Sequence, residues 1–363
     1  MFNPLRLTIA RKRRGMTKVA LADASHLTVR SISAFESGAY PPAEDTIAVL
    51  SQILTFPVEF FHAGDIHEPS VLGVSFRALA SMTAAQRDMA LANGSLAIEL
   101  SRWIDEHFQL PAPNIPNMYS LEPEAAAQAL RVEWGLGERS IQNMLHLLEA
   151  NGARVFSLPR DSDSVSAFSF WYGDTPYVFL TTDKSGERGR FDCAHELGHL
   201  TLHRNGGPRS RQAEMEADQF ASAFLMPQPT VLATAPRSAR LSTLIKLKRK
   251  WLVSVGALVH RLRALHLLTE WQYRTLWIEI SRRGFRKDEP DGIPRETSQV
   301  LAKVFNSLRK EGISRGTLAK DLRIEMVDLE ALIFILAVSV IPGGAKGDRG
   351  ANPRNRSKLR LLL

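Results

Sequence analysis

The stretch Phe191-Asp192-Cys193-Ala194-His195-Glu196-Leu197-Gly198-His199 constrains this chain more than any other, because its His-Glu-x-x-His core makes chemical sense only on a helix. At about 3.6 residues per turn, His195 and His199 leave one face a turn apart, where both imidazoles can hold a single Zn²⁺. Glu196 is rotated away by about 100°, so it misses the metal and lies beside a water there, as a general base must. Catalytic zinc sites take three protein ligands and keep a fourth position open. A third ligand must therefore arrive on a second element packed close to the first.

Residues 214–226 supply that element, a helix stopped by Pro227. Glu214, Ala217, Asp218 and Ala221 share one face at i, i+3, i+4 and i+7, while Phe220 and Phe224 lie on an adjoining apolar stripe. The small alanines permit close approach, so Glu214 is the expected third ligand. Asp218, one turn on, is placed to reach the outer ring nitrogen of a ligating histidine. Glu216 is the rival ligand, but its two-residue offset sets it on the far side of the helix. His203, at i+8 from His195, would lie roughly 12 Å along a straight helix, too far for one ion, and reads as a structural or pocket histidine. Cys193 reads as a buried inert thiol, the sharper alternative being a thiolate that occupies the open zinc position.

These segments carry a family resemblance. His195-Glu196-Leu197-Gly198-His199, the Phe220-Ala221 step and the closing Leu225-Met226-Pro227 resemble the ImmA/IrrE metallopeptidase family, with Asp218 standing where that family often has Asn. The resemblance implies a gluzincin-like α+β protease that cleaves regulatory proteins such as repressors or antitoxins. It also implies His195, His199 and Glu214 as Zn²⁺ ligands with Glu196 as the base. Before this motif, residues 153–158, 165–171 and 176–180 read as strands, with turns at 161–164 and 172–175. A meander is expected, its last strand with Thr181 and Thr182 offering an edge where substrate adds as a strand. Residues 123–134 and 138–151 read as helices packed on that sheet.

The N-terminus carries a second signal. Thr17 to Ala22 and Thr28 to Gly38 read as two short helices and a turn, with a further helix over 45–54. Leu21-Ala22, Ile32, Glu36 and Gly38 make it similar to the Cro/lambda-repressor helix-turn-helix, the XRE type. The resemblance implies a recognition helix that presents Val29, Arg30 and Ala34, with Ser33 nearby, to base edges. Arg30 alone carries a fork for guanine. Thr17, Lys18 and Thr28 stand where helix starts touch phosphate, and the run Arg11-Lys12-Arg13-Arg14 adds charge close by. The alternative is a docking or dimerisation surface, since Val29 and Ala34 make an apolar head.

A length of 363 residues permits two or three domains, and 44% hydrophobic content is ample for their cores. One cysteine allows no internal disulfide, and a net charge of +8 suits a nucleic-acid partner. The start lacks an apolar signal core and the apolar run 331–341 is too short to span a bilayer, so the expected setting is soluble and cytoplasmic, with no membrane partner. The expected fold is mainly α with an α+β core. A helix-turn-helix domain (1–65), a helical linker with a Pro-rich hinge (66–118), a metallopeptidase domain (119–235), a helical C-terminal region (236–342) and a basic disordered tail (343–363) follow in order. Residues 241–268 read as helix with a solvated basic face, and 312–332 hint at helix-turn-helix spacing without the Glu and Gly of the first.

Together these readings describe a transcriptional regulator that carries a zinc endopeptidase, triggered by stress or a partner. Its partners are a double-stranded DNA operator, a regulatory protein as substrate, and a second copy of itself, since such modules commonly meet operators as dimers. The alternative is a DNA-binding repressor whose zinc site is sensory or structural; Glu196 argues against it, because a structural site needs no base.

Overall fold

The computed structural model describes residues 1–69, 74–76, 83–158, 167–181, 184–204, 211–333 and 359–360. It is mainly α with an α+β core. Five helices open the chain: α1 (Pro4–Arg13), α2 (Lys18–Ser25), α3 (Val29–Ser37), α4 (Glu44–Leu54) and α5 (Val58–Phe61). Asn3, Thr17 and Thr28 start α1, α2 and α3, each side chain accepting a backbone N–H that its helix cannot satisfy. The α2–α3 turn passes through His26 at φ 55°, and α3 stops at Gly38 at φ 73°.

The basic run of α1 points inward. Arg11 forks onto Glu36 and the Met16 carbonyl, Lys12 pairs with Glu68, and Arg13 and Arg14 converge on the buried carboxylate of Asp328. The expectation that this run adds charge toward DNA fails for that reason: its cations are consumed by internal partners.

β1 (Val74–Phe76) precedes the long helix α6 (Ala84–His107), which begins with a Thr83–Gln86 capping box. Gly15 lies against α6 so closely that a Cβ there would sit 2.8 Å from Met89 Cε. α6 leads into β2 (Phe108–Gln109), which pairs in parallel with β6 (Leu359–Arg360). The Pro-rich segment after it is tied to the chain near residues 134 and 151. Asn114 N–H donates to Asn151 O, Trp134 Nε1 donates to Asn114 O, and a Cβ at Gly152 would lie 2.4 Å from Ala112 O.

The three expected strands are β3 (Arg154–Ser157), β4 (Ala167–Tyr172) and β5 (Thr175–Leu180), the turn at 161–164 and Thr182 lying outside the described residues. They do not form a meander. The sheet order is β1-β4-β5-β3, with β1 and β5 antiparallel to β4 and β3 parallel to β5. β5 is therefore interior, and the expectation that it offers an open edge is overturned. Its unbroken run Tyr177-Val178-Phe179-Leu180 is what a strand covered on both faces needs.

Eleven further helices follow among the described residues. α7 (Pro123–Glu133) and α8 (Met144–Ala150) precede α9 (Gly186–Leu202) and α10 (Arg211–Leu225). α8 starts at Met144 and not at 138, because Arg131 takes the carbonyls of Gly137 and Arg139 while Arg190 takes those of Ile141 and Gln142. The guanidinium groups supply the partners that these carbonyls lack outside a helix. After α11 (Gln228–Thr234), the expected helix over 241–268 is two, α12 (Leu241–Lys248) and α13 (Val255–Ala264), parted at Leu252 with φ 56°. Its basic face is partly internal: Lys248 is buried between Glu187 and Glu289, and Arg261 holds Glu124 and the Met226 carbonyl. α14 (Glu270–Arg282), α15 (Gln299–Lys310), α16 (Arg315–Asp321) and α17 (Met326–Ile333) complete the described chain, and the tail expected to be disordered lies outside it apart from β6. No described helix is long and apolar enough to cross a membrane.

Candidate metal centre

α9 and α10 pack against each other, and one glycine permits their close approach. A Cβ on Gly198 would meet Phe220 Cδ1 at 3.1 Å, Ala217 Cα at 3.2 Å and Ala217 O at 3.3 Å. The alanine face of α10 thus rests on the glycine of the His-Glu-Leu-Gly-His motif, which brings Glu214 over the two imidazoles.

Among the described residues, His195, His199 and Glu214 are the His, Cys, Asp or Glu group whose ligand atoms all lie within 4.8 Å of one another. His195 Nε2 and His199 Nε2 are 3.1 Å apart, and each lies 3.4 Å from a Glu214 carboxylate oxygen. Tetrahedral bonds of about 2.0–2.1 Å put ligand atoms roughly 3.3 Å from each other. The donor set fits such an ion in number, type and spacing. Burial disfavours the His195 cation, yet Asp218 and Glu214 more than offset it and push its pKa up to about 9. Burial likewise opposes ionisation of Glu214, but the two imidazoles hold its carboxyl far below the usual range. A metal would displace the shared protons, so its binding weakens in acid.

Both outer nitrogens of the histidine pair are backed. His195 Nδ1 meets Asp218 Oδ1 at 2.8 Å, the contact expected from the helix face. His199 Nδ1 meets His203 Nδ1 at 3.0 Å, and His203 Nε2 meets Glu216 Oε2 at 2.8 Å. Gln212 Nε2 holds the other Glu216 oxygen at 2.9 Å. Glu216 therefore faces His203 and stands outside the trio, which separates it from Glu214. His203 stands outside the trio and holds the His199 ring against Glu216. Burial lowers its pKa against the pull of Glu216.

Glu196 is buried, and its carboxylate accepts a hydrogen bond from Ser169 Oγ at 2.7 Å, from the middle of β4. Sequence reasoning missed Ser169, although a hydroxyl inside the apolar run Phe168-Ser169-Phe170 needs a buried partner. Trp171 Nε1 donates to Leu200 O, and Arg204 stacks on Trp171 at 3.9 Å while pairing with Asp174, so the β4–β5 hairpin is tied to the end of α9.

Two family models match the chain, that of the IrrE N-terminal-like domain of peptidase family M78 over residues 148–263 and that of the helix-turn-helix over residues 7–61. The chain joins a helix-turn-helix domain to an IrrE N-terminal-like domain. A search of curated proteins returns no match.

In the IrrE N-terminal-like domain, Cys193 lies on the opposite side of α9 from the trio. It lines a cavity of about 40 Å³ with Arg190, Gly186 and Glu296, and burial pushes its thiol far up, with Glu296 and Asp192 adding to the effect. That is the environment of an inert thiol. In the helix-turn-helix domain, Thr17, Thr28, Val29 and Arg30 are exposed and Lys18, Ser33 and Ala34 are half-buried. The hydroxyls of Thr17 and Thr28 accept from Ala20 and Ser31 N–H at 3.0 Å each. Lys18 Nζ leans 3.4 Å from Glu36, sharing it with Arg11.

Proposed function

We propose that this protein is a DNA-binding regulator of the cytoplasm whose IrrE N-terminal-like domain is a zinc endopeptidase acting on a regulatory protein such as a repressor or antitoxin. The observation that carries the reading is the trio His195, His199 and Glu214 at tetrahedral spacing, with a buried carboxylate, Glu196, one residue from the first ligand.

When bound there, Zn²⁺ supplies Lewis acidity to the scissile carbonyl and lowers the pKa of a water. Glu196 takes the proton of that water and hands it to the leaving amine. Ser169 holds the Glu196 carboxylate by its hydrogen bond. Asp218 and His203 hold the two imidazoles with their Nε2 atoms inward, so little reorganisation is needed when the ion arrives. A substrate strand has two edges to consider. β3 is capped by α17, since Ser157 Oγ donates to Ala331 O, so the strand adds to β1 or takes its place on β4.

The helix-turn-helix domain reads an operator through Arg30, with Val29, Ser33 and Ala34 on base edges and Thr17, Lys18 and Thr28 on phosphates, as one half of a homodimer. The test compares wild type with Glu196→Gln at matched zinc occupancy in lysate of the source cells, following new protein termini by mass spectrometry. Termini that appear with wild type alone support proteolysis and name the substrate. If neither variant cuts while both bind zinc and duplex, the site senses metal or braces the fold.

A further inference from the structure

Residues 299–333 repeat the turn geometry of the first helix-turn-helix at a constant offset of 297 residues, Thr17 corresponding to Ser314. α1 and α15 each end at a left-handed glycine, Gly15 at φ 64° and Gly312 at φ 75°, two residues before a cap. Thr17 Oγ1 accepts from Ala20 N, and Ser314 Oγ accepts from Thr317 N, both at 3.0 Å. Nine residues past each cap the chain turns left-handed, at His26 with φ 55° and Arg323 with φ 56°. The next amide closes each turn alike, Leu27 N to Ala22 O at 2.9 Å and Ile324 N to Ala319 O at 3.0 Å. Ile32 and Phe35 are the buried core positions of α3, and at the same offset Leu329 and Leu332 are buried in α17. The first cap, the left-handed residues, the turn closure and the core all coincide, which local propensity alone does not produce.

The heads of the two units differ in charge. Where the first has Thr28, Arg30 and Ser33, the second has Glu325, Val327 and Glu330: two carboxylates that phosphate repels and no cation. The counterpart of Ser31 is Asp328, fully buried, which receives Arg14 through two nitrogens at 2.7 Å each and Arg13 at 3.0 Å. The same helix meets β3 through Ser157. Meanwhile Val29 and Arg30 remain exposed, so the first head can meet DNA with this contact closed.

We propose that residues 299–333 are a second helix-turn-helix unit that reads no DNA and instead clamps the first unit, through Arg13, Arg14 and Asp328, onto the IrrE N-terminal-like domain. A carboxylate held by two guanidinium groups out of water fails when one partner is lost, because the remainder is a buried unpaired charge. The clamp makes operator binding and the peptidase cleft parts of one body.

The test uses full-length protein with zinc: wild type, Arg14→Ala, Asp328→Asn and the double variant, read by hydrogen exchange and mass spectrometry. Each single variant is expected to raise exchange at least tenfold in both α1 and α17. The double variant should go little further, and α9 and α10 should stay protected. In the same preparations Glu330→Ala should leave duplex affinity within twofold at fixed salt. Arg14→Ala cannot unfold α17 by itself, so unchanged exchange in α17 with that variant overturns the clamp. So do additive effects in the double variant, and a loss of duplex affinity of tenfold or more with Glu330→Ala overturns the claim that this unit reads no DNA.

Discussion

Replacing Gly198 with Ala should destabilise the protein, although alanine is the better helix former. Two terms compete. In a helix interior Ala gains about 0.8–1 kcal/mol over Gly, while overfilling a packed interface costs about 1–3 kcal/mol. The new methyl would lie 3.1 Å from Phe220 Cδ1 and 3.2 and 3.3 Å from two backbone atoms of Ala217. A ring can tilt, but the backbone of α10 moves only as a helix, so overfilling wins and the net loss is roughly 1 kcal/mol. Parting the helices also draws Glu214 from the histidines, whose Nε2 atoms now lie 3.4 Å from its oxygens. Zinc bonds tolerate about 0.2 Å, so affinity should fall about tenfold. Gly189 is the control, since it lies in the same helix with nothing within 4 Å of its Cβ position. Gly189→Ala should raise stability, by up to about 1 kcal/mol. Urea unfolding of the zinc-free forms and competition with a chromophoric chelator read both effects. If Gly198→Ala is as stable as wild type and holds zinc as well, the close approach is not what this glycine provides.

The trio was legible because helical periodicity is local. Positions 195 and 199 fix one another, and the face shared by Glu214, Ala217 and Asp218 announces how α10 approaches. The strands were legible as segments but not as a sheet, since β3 skips its sequence neighbour and no residue in it records that partner. The unbroken apolar run of β5 did carry a hint of an interior strand. Charges misled most. Arg14 finds Asp328 and Lys248 finds Glu187, pairs far apart in sequence, so a basic run that reads as solvated or DNA-facing proves to be internal wiring. Ser169 stayed hidden for a related reason: its partner lies on another element, and only its polarity within an apolar strand marked it.

Asp218→Ala should weaken zinc about 10- to 100-fold in the chelator competition, because the His195 ring loses its orienting partner. His203→Ala should act in the same direction through His199, with Glu216→Ala following it, and equal affinity in all three would show that the rings are held by packing. Arg30→Ala should cost about 1–3 kcal/mol on the operator, read by fluorescence anisotropy across a salt series; the same loss on unrelated duplex would make Arg30 a phosphate contact. The last prediction concerns pH. Glu149 is buried beneath the start of α15, and burial raises its pKa from 4.5 to about 7 although Ser298 Oγ and the amides of Gln299 and Val300 donate to it. An acid whose pKa is raised by folding holds more protons folded than unfolded between those two values, so stability must fall as pH rises through that window. The shift corresponds to about 3 kcal/mol, present in full below about pH 4.5 and lost by about pH 7. Glu149→Gln removes the titrating group while keeping an oxygen for the two amides. It should flatten the decline in urea midpoint between pH 5 and 7, and a decline as steep as that of wild type would place the responsible group elsewhere.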